Sequence, residues 1–314
     1  MILYLLALIG GAAGLFYGAD RLVNGSSAIA IRTGIAPLLI GLTIVAFATS
    51  SPELIVSLKA AFQGNPSIAV GNVVGSNIAN IGLVLGLAAL IYPIKTSMKT
   101  LQTEMPIMIG CVLLMFILMY NHMFTRLEGF FLVGLLALFI FFQIRNARSQ
   151  VYAKNDPEVK QIIESQSVKL WLAWVYIFLG GILLTVGSDW FLYGAVGLGE
   201  LIGLSNAVIG LTIVSLGTSL PEVATSVVAA FKKKSDIALG NIIGSNIFNV
   251  LAILGITASV HPLTGGDINW IDLSIMLAFS VILWPMLYHK LRLGKIEGGL
   301  LLAGYLGYMV YLFS

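Results

Sequence analysis

The sequence predicts an all-α polytopic membrane protein of ten transmembrane helices, arranged as two inverted five-helix repeats. Three observations carry that expectation. Of 314 residues, 58% are hydrophobic and only 10% charged, and mean hydropathy is +0.98, whereas soluble domains carry about 25% charged residues. Lys and Arg alternate between segment ends in the way membrane topology demands. The two halves of the chain also repeat each other at a fixed offset.

The apolar segments fall at roughly 1–22, 36–62, 67–92, 104–121, 127–145, 169–194, 205–231, 236–258, 270–289 and 297–313. Most are long enough to cross a hydrocarbon core of about 30 Å as helices. The ten-residue polar–apolar alternation of a transmembrane β-barrel is absent. The first segment, MILYLLALIGGAAGLFYG, follows no basic region and precedes no clear cleavage site, so it reads as a retained span. The second contains TSSPELIVS and the third GNVVGSNIAN. The fourth holds the single cysteine, Cys111, which reads as a small buried thiol. After the fifth comes the one long polar stretch, 146–168, a cytoplasmic linker too short for a folded regulatory domain. The seventh and eighth contain TSLPEVATS and GNIIGSNIFN, echoing the second and third. The organisation expected is therefore a first repeat at 1–145, the linker at 146–168 and a second, inverted repeat at 169–314.

Charge fixes the expected sidedness. Placing odd-numbered loops in the cytoplasm puts 15 of the 17 Lys and Arg residues there and leaves only Lys59 and Arg126 outside. Both termini should then face away from the cytoplasm of a plasma or bacterial inner membrane. The net charge of +3 follows from topology, and no nucleic-acid partner is needed to explain it.

Adding 169 to a position in the first half gives its counterpart. Gly18, Asp20 and Gly25 match Gly187, Asp189 and Gly194, and 23 of the 41 positions from Ile40 to Asn80 are identical. Five spans per half is an odd number, so the second copy is upside down relative to the first. That is the plan of secondary transporters, whose sites lie near the bilayer midplane between the repeats.

Glu53 and Glu222 stand well inside apolar spans. A charged carboxylate there costs roughly 2.5–3.5 kcal/mol on insertion scales, so each needs a partner. No Lys, Arg or His lies at comparable depth, which leaves a bound cation or a proton. Thr49 and Ser50 lie four and three residues before Glu53, on the same helix face. Pro52 cannot donate to the Ala48 carbonyl and should kink the helix, freeing carbonyls around Ala46 to Ala48. Ser215 to Gly217, ahead of Pro221, repeat the arrangement. Asn72, Ser76 and Asn80 form one polar stripe on the next helix, matched by Asn241, Ser245 and Asn249. Gly71 and Gly75, matched by Gly240 and Gly244, make small-residue surfaces for close helix approach. These donors are all hard oxygens, which suit Ca²⁺ better than Mg²⁺, and the lack of Cys, His and Met in these blocks disfavours Zn²⁺ and Cu⁺. Asp20 and Asp189, near span ends, read as structural, and Lys232 to Lys234 as a cytoplasmic anchor.

With TSSPE and GSNIAN in one half and TSLPE and GSNIFN in the other, the chain resembles the calcium/cation antiporter superfamily, and especially prokaryotic sodium/calcium exchangers. The resemblance covers nearly the whole chain. It implies cation sites lined by Ala46, Thr49, Ser50, Glu53, Ser76 and Asn80, and by Ser215, Thr218, Ser219, Glu222, Ser245 and Asn249. Asn249 departs from the pattern, since some members carry Asp there, so two carboxylates stand in place of three. The expected activity is antiport of Ca²⁺ against Na⁺, with H⁺ as the alternative counter-ion and a cation channel as the next reading. Ca²⁺ and Na⁺ or H⁺ are substrates, and no cofactor or obligate protein partner is expected beyond the lipid bilayer. Neither HExxH nor GxSxG occurs, so the chain is not expected to be an enzyme.

Overall fold

The computed structural model describes residues 1–150, 169–202, 215–265 and 268–313. Every expected apolar segment within these ranges is helical: α1 Ile2–Thr33, α2 Pro37–Phe62, α3 Pro66–Ile91, α4 Met98–Asn121, α5 Arg126–Gln150, α6 Leu170–Leu201, α7 Leu220–Phe231, α8 Ser235–Val260, α9 Trp270–Leu291 and α10 Lys295–Phe313. Eight of them are long and apolar enough to cross a membrane, which makes the chain a multi-pass membrane protein. Helix α7 is shorter, at 12 residues. The upstream part of that seventh segment and the linker beyond residue 150 lie outside the described residues.

Two helices exceed expectation. Helices α1 and α6 each run 32 residues, about 48 Å at 1.5 Å per residue, so they must tilt or emerge from a core of about 30 Å. The polar residues at the end of the first apolar segment do not stop α1, because Asp20 is satisfied within the protein. Lys232, at the C-terminal end of α7, pairs with Asp20 and donates to Asn24 Oδ1 at 2.7 Å, while Asn24 Nδ2 donates to Asp20 Oδ2 at 3.0 Å. Lys232 is thus an interhelical ion-pair partner rather than a simple anchor. Helix α1 ends at Gly34, whose φ of 71° supplies the left-handed cap.

Helices α1 and α6 pack backbone to backbone. A Cβ on Gly18 would lie 2.8 Å from the Leu184 nitrogen, and one on Gly187 would lie 2.7 Å from the Leu15 nitrogen. Helix α8 is buried along its whole apolar window and α3 along most of it. The close approach expected at Gly240 and Gly244 occurs, since added Cβ atoms would sit 2.5 Å from the carbonyls of Leu38 and Leu42 on α2. The equivalent neighbours of Gly71 and Gly75 would be residues 207–211, outside the described residues.

Short strands tie the helix ends. β1 (Ile94–Lys95) pairs with β4 (Arg292–Leu293), and β2 (Met123–Phe124) pairs with β3 (Leu263–Thr264), both antiparallel. Around this frame, α2, α3, α7 and α8 meet at the centre, where the polar residues lie.

Candidate functional site

The backbone of the four central helices is irregular where the polar residues cluster. Residues Gly41–Val45 of α2, Asn80–Leu85 of α3 and Asn249–Leu254 of α8 form π-helical turns. Such turns alter which carbonyls are bonded within a helix and are frequent at functional sites. The expected irregularity around Pro52 therefore appears just upstream, and Pro52 itself lies inside a continuous helix from Ala46 to Phe62. In the other half the chain does break. Ser215–Gly217 form a short turn and α7 begins at Leu220, with Pro221 in its first turn, where a missing amide hydrogen costs nothing.

That break has a consequence which the sequence pattern did not indicate. Pro221 cannot donate to the Gly217 carbonyl, and the Ser188 hydroxyl of α6 does so instead, at 2.7 Å. The Gly217 oxygen is therefore occupied by protein. Ala19 holds the counterpart position of Ser188 in the first half, so the +169 comparison could not reveal this contact.

The described candidate residues converge. Ala46, Thr49, Ser50, Glu53, Ser76, Asn80, Ser219, Glu222, Ser245 and Asn249 are all buried, and Thr218 is half-buried. Ser50 Oγ donates to Glu222 Oε1 at 2.9 Å and lies 3.0 Å from Ser245 Oγ, joining the two halves directly. Ser245 Oγ is 3.4 Å from the same carboxylate oxygen. Thr49 Oγ1 donates to Asn241 Oδ1 at 3.0 Å and sits 3.3 Å from the Ala46 carbonyl. Ser219 Oγ reaches Ser76 Oγ at 3.4 Å.

Four further residues belong to this network. Asn241 Nδ2 donates to Ser226 Oγ at 3.2 Å, and in mirror fashion Asn72 Nδ2 donates to Ser57 Oγ at 3.1 Å while Asn72 Oδ1 accepts from Thr218 Oγ1 at 3.3 Å. Asn80 Nδ2 donates to Asn246 Oδ1 at 3.0 Å, and Asn249 Nδ2 donates to Asn77 Oδ1 at 3.1 Å. Each of these amide pairs joins α3 to α8. Ser57/Ser226 and Asn77/Asn246 are identical pairs at the 169 offset, and that identity is the signal that could have found them.

The amide pairs leave a specific remainder. Glu53 Oε2, Glu222 Oε2, Asn80 Oδ1 and Asn249 Oδ1 are buried and have no hydrogen-bond donor among the described residues. They are two counterpart pairs, one oxygen per residue. Buried oxygens without donors cost several kcal/mol each at membrane depth. Acceptor oxygens left without donors are what a cation can satisfy.

A family profile described as sodium/calcium exchanger protein matches residues 3–145 and 172–314. The chain is 38% identical to the putative antiporter CaxA of Alkalimonas amylolytica over the full length of both. It is 32% identical to the sodium/calcium exchanger MaX1 of Methanosarcina acetivorans, covering 98% of each chain. Among solved structures it superposes on the sodium/calcium exchanger from Methanococcus jannaschii with a TM-score of 0.85 and 30% identity over 98% of each chain. By length, fold and profile, the chain belongs to the sodium/calcium exchanger family.

Proposed function

We propose that this antiporter exchanges Ca²⁺ for Na⁺ across the cell membrane, with ions held near the midplane by Glu53 and Glu222. The observation that carries this reading is the set of four donor-less buried oxygens from Glu53, Glu222, Asn80 and Asn249. Ca²⁺ takes six to eight oxygens, and two carboxylates cancel its charge. The reading completes the shell with the hydroxyls of Thr49, Ser50, Ser76, Thr218, Ser219 and Ser245 and the carbonyls of Ala46 and Ser215.

The reading includes ten spans in two inverted halves, 1–145 and 169–314, with the linker 146–168 in the cytoplasm and both termini outside. Strand pairing supports inversion. Residues 94 and 263 are counterparts at the 169 offset, yet β1 joins β4 and β2 joins β3, so the counterpart strands β1 and β3 lie in different sheets. Alternating access then moves other helices past the pair of glutamates.

Asn249 favours a second reading, H⁺ as counter-ion. Two carboxylates are neutralised by one Ca²⁺ or by two protons, whereas three Na⁺ would leave the site with an excess positive charge. Ca²⁺ uptake into proteoliposomes, driven in one arm by an imposed Na⁺ gradient and in the other by an imposed pH gradient, decides between them. Uptake in neither arm would overturn the antiporter reading.

A further inference from the structure

The Asn80 and Asn249 oxygens are left without donors only because four asparagine side chains are turned a particular way, and an amide can be held either way round. Asn77 and Asn246 settle the matter. Asn77 Nδ2 lies 3.6 Å from Met276 Sδ on α9, and Asn246 Nδ2 lies 3.7 Å from Met108 Sδ on α4. A thioether sulfur accepts hydrogen bonds and cannot donate. It therefore draws the NH₂ end of each asparagine, and the carbonyl end must point the other way. Asn77 Oδ1 then receives the Asn249 amide and Asn246 Oδ1 receives the Asn80 amide. With their NH₂ groups spent, Asn249 and Asn80 present carbonyl oxygen to the site. All six residues are buried.

Two relays of thioether, amide, amide and site oxygen thus cross between the halves, Met276–Asn77–Asn249 and Met108–Asn246–Asn80. The ordinary role of a buried methionine is gap filling, and two further facts separate these from it. Both sulfurs meet the counterpart asparagines of the two halves, from helices that are themselves counterparts. The methionines do not occupy aligned positions: the counterpart of Met108 is Leu277, and that of Met276 is Ile107. The contact recurs although the aligned residue type does not.

The geometry assigns Met108 and Met276 as positioning residues of the ion site, which fix through Asn246 and Asn77 the direction of the Asn80 and Asn249 carbonyls. Removing a sulfur frees its asparagine to turn over. An inverted Asn77 would offer NH₂ to the NH₂ of Asn249 and push that side chain round, replacing an oxygen at the site with a donor. The assignment rests on the ion-binding reading above.

The test is Ca²⁺ uptake by purified protein in proteoliposomes, with KM and kcat measured for wild type, Met108→Leu, Met276→Leu and the control Met115→Leu, another buried methionine of α4. Each of the first two should raise the KM for Ca²⁺ about tenfold, the low end of what outer-shell partners of a metal site cost, with kcat little changed. Met115→Leu should keep the wild-type KM. Met276→Gln, which restores a carbonyl acceptor, should recover most of the lost affinity, as a packing role would not. If a leucine variant fails to fold, norleucine at the same position exchanges only sulfur for CH₂ and gives the same readout. Wild-type KM in both sulfur-free variants, an equal shift in Met115→Leu, or no rescue by Gln overturns the relay alone. Absence of Ca²⁺ uptake in wild type overturns the ion-binding reading and the relay with it.

Discussion

Ser50 Oγ donates to Glu222 Oε1 at 2.9 Å, so a hydroxyl from the first half orients the carboxylate of the second. Hydrogen bonds to charged groups contribute about 1.5–3 kcal/mol, which corresponds to roughly tenfold or more in an equilibrium constant. Ser50→Ala should raise the KM for Ca²⁺ by about tenfold while leaving the purified protein folded. Concentration dependence of Ca²⁺ uptake checks this, with thermal unfolding in detergent as the control.

Charge balance at the site predicts the coupling ratio. With only Glu53 and Glu222 charged, one Ca²⁺ is matched by two monovalent cations, and exchange should be electroneutral. Uptake by wild-type proteoliposomes should therefore ignore a K⁺ diffusion potential set with valinomycin. Asn249→Asp adds a third carboxylate, and its flux should become sensitive to that potential as a third monovalent ion is bound.

The backbone contact of α1 with α6 leaves no side chain to give way. A methyl group on Gly18 would meet the Gly180 carbonyl at 2.9 Å and the Leu184 nitrogen at 2.8 Å. Overpacking of this kind costs about 1–3 kcal/mol. Gly18→Ala should lower the melting temperature of the purified protein, whereas Gly134→Ala, where an added Cβ meets nothing within 4 Å, should leave it unchanged.

The distribution of Lys and Arg predicts that the C-terminus faces outward. In a Cys111→Ala background, a cysteine appended to the C-terminus should react with a membrane-impermeant maleimide applied to intact cells. Labelling only after the cytoplasmic face is exposed would reverse the topology.

The parts of the site that were legible in the sequence are those where burial and charge conflict. Glu53 and Glu222 stood out because an apolar span offered them no basic partner, and the Asn72–Ser76–Asn80 stripe because i, i+4 and i+8 share a face. Asn77 and Asn246 did not, because they lie off that stripe, and their partners come from another helix at separations of 172 and 166 residues. Helix α1 runs eleven residues past the expected end of its apolar segment because Lys232, distant in sequence, satisfies Asp20. Two prolines in equivalent motifs also behave differently: Pro52 lies within a helix and Pro221 in a first turn, with Ser188 present on only one side to cap the freed carbonyl.

The central claim is that both buried glutamates hold the exchanged ion. Its most direct test is Na⁺-gradient-driven uptake of radioactive Ca²⁺ by proteoliposomes containing wild type, Glu53→Gln or Glu222→Gln, each first shown to be monodisperse and folded. The account predicts uptake by wild type and background levels for both variants. Near wild-type uptake by either folded variant would contradict it.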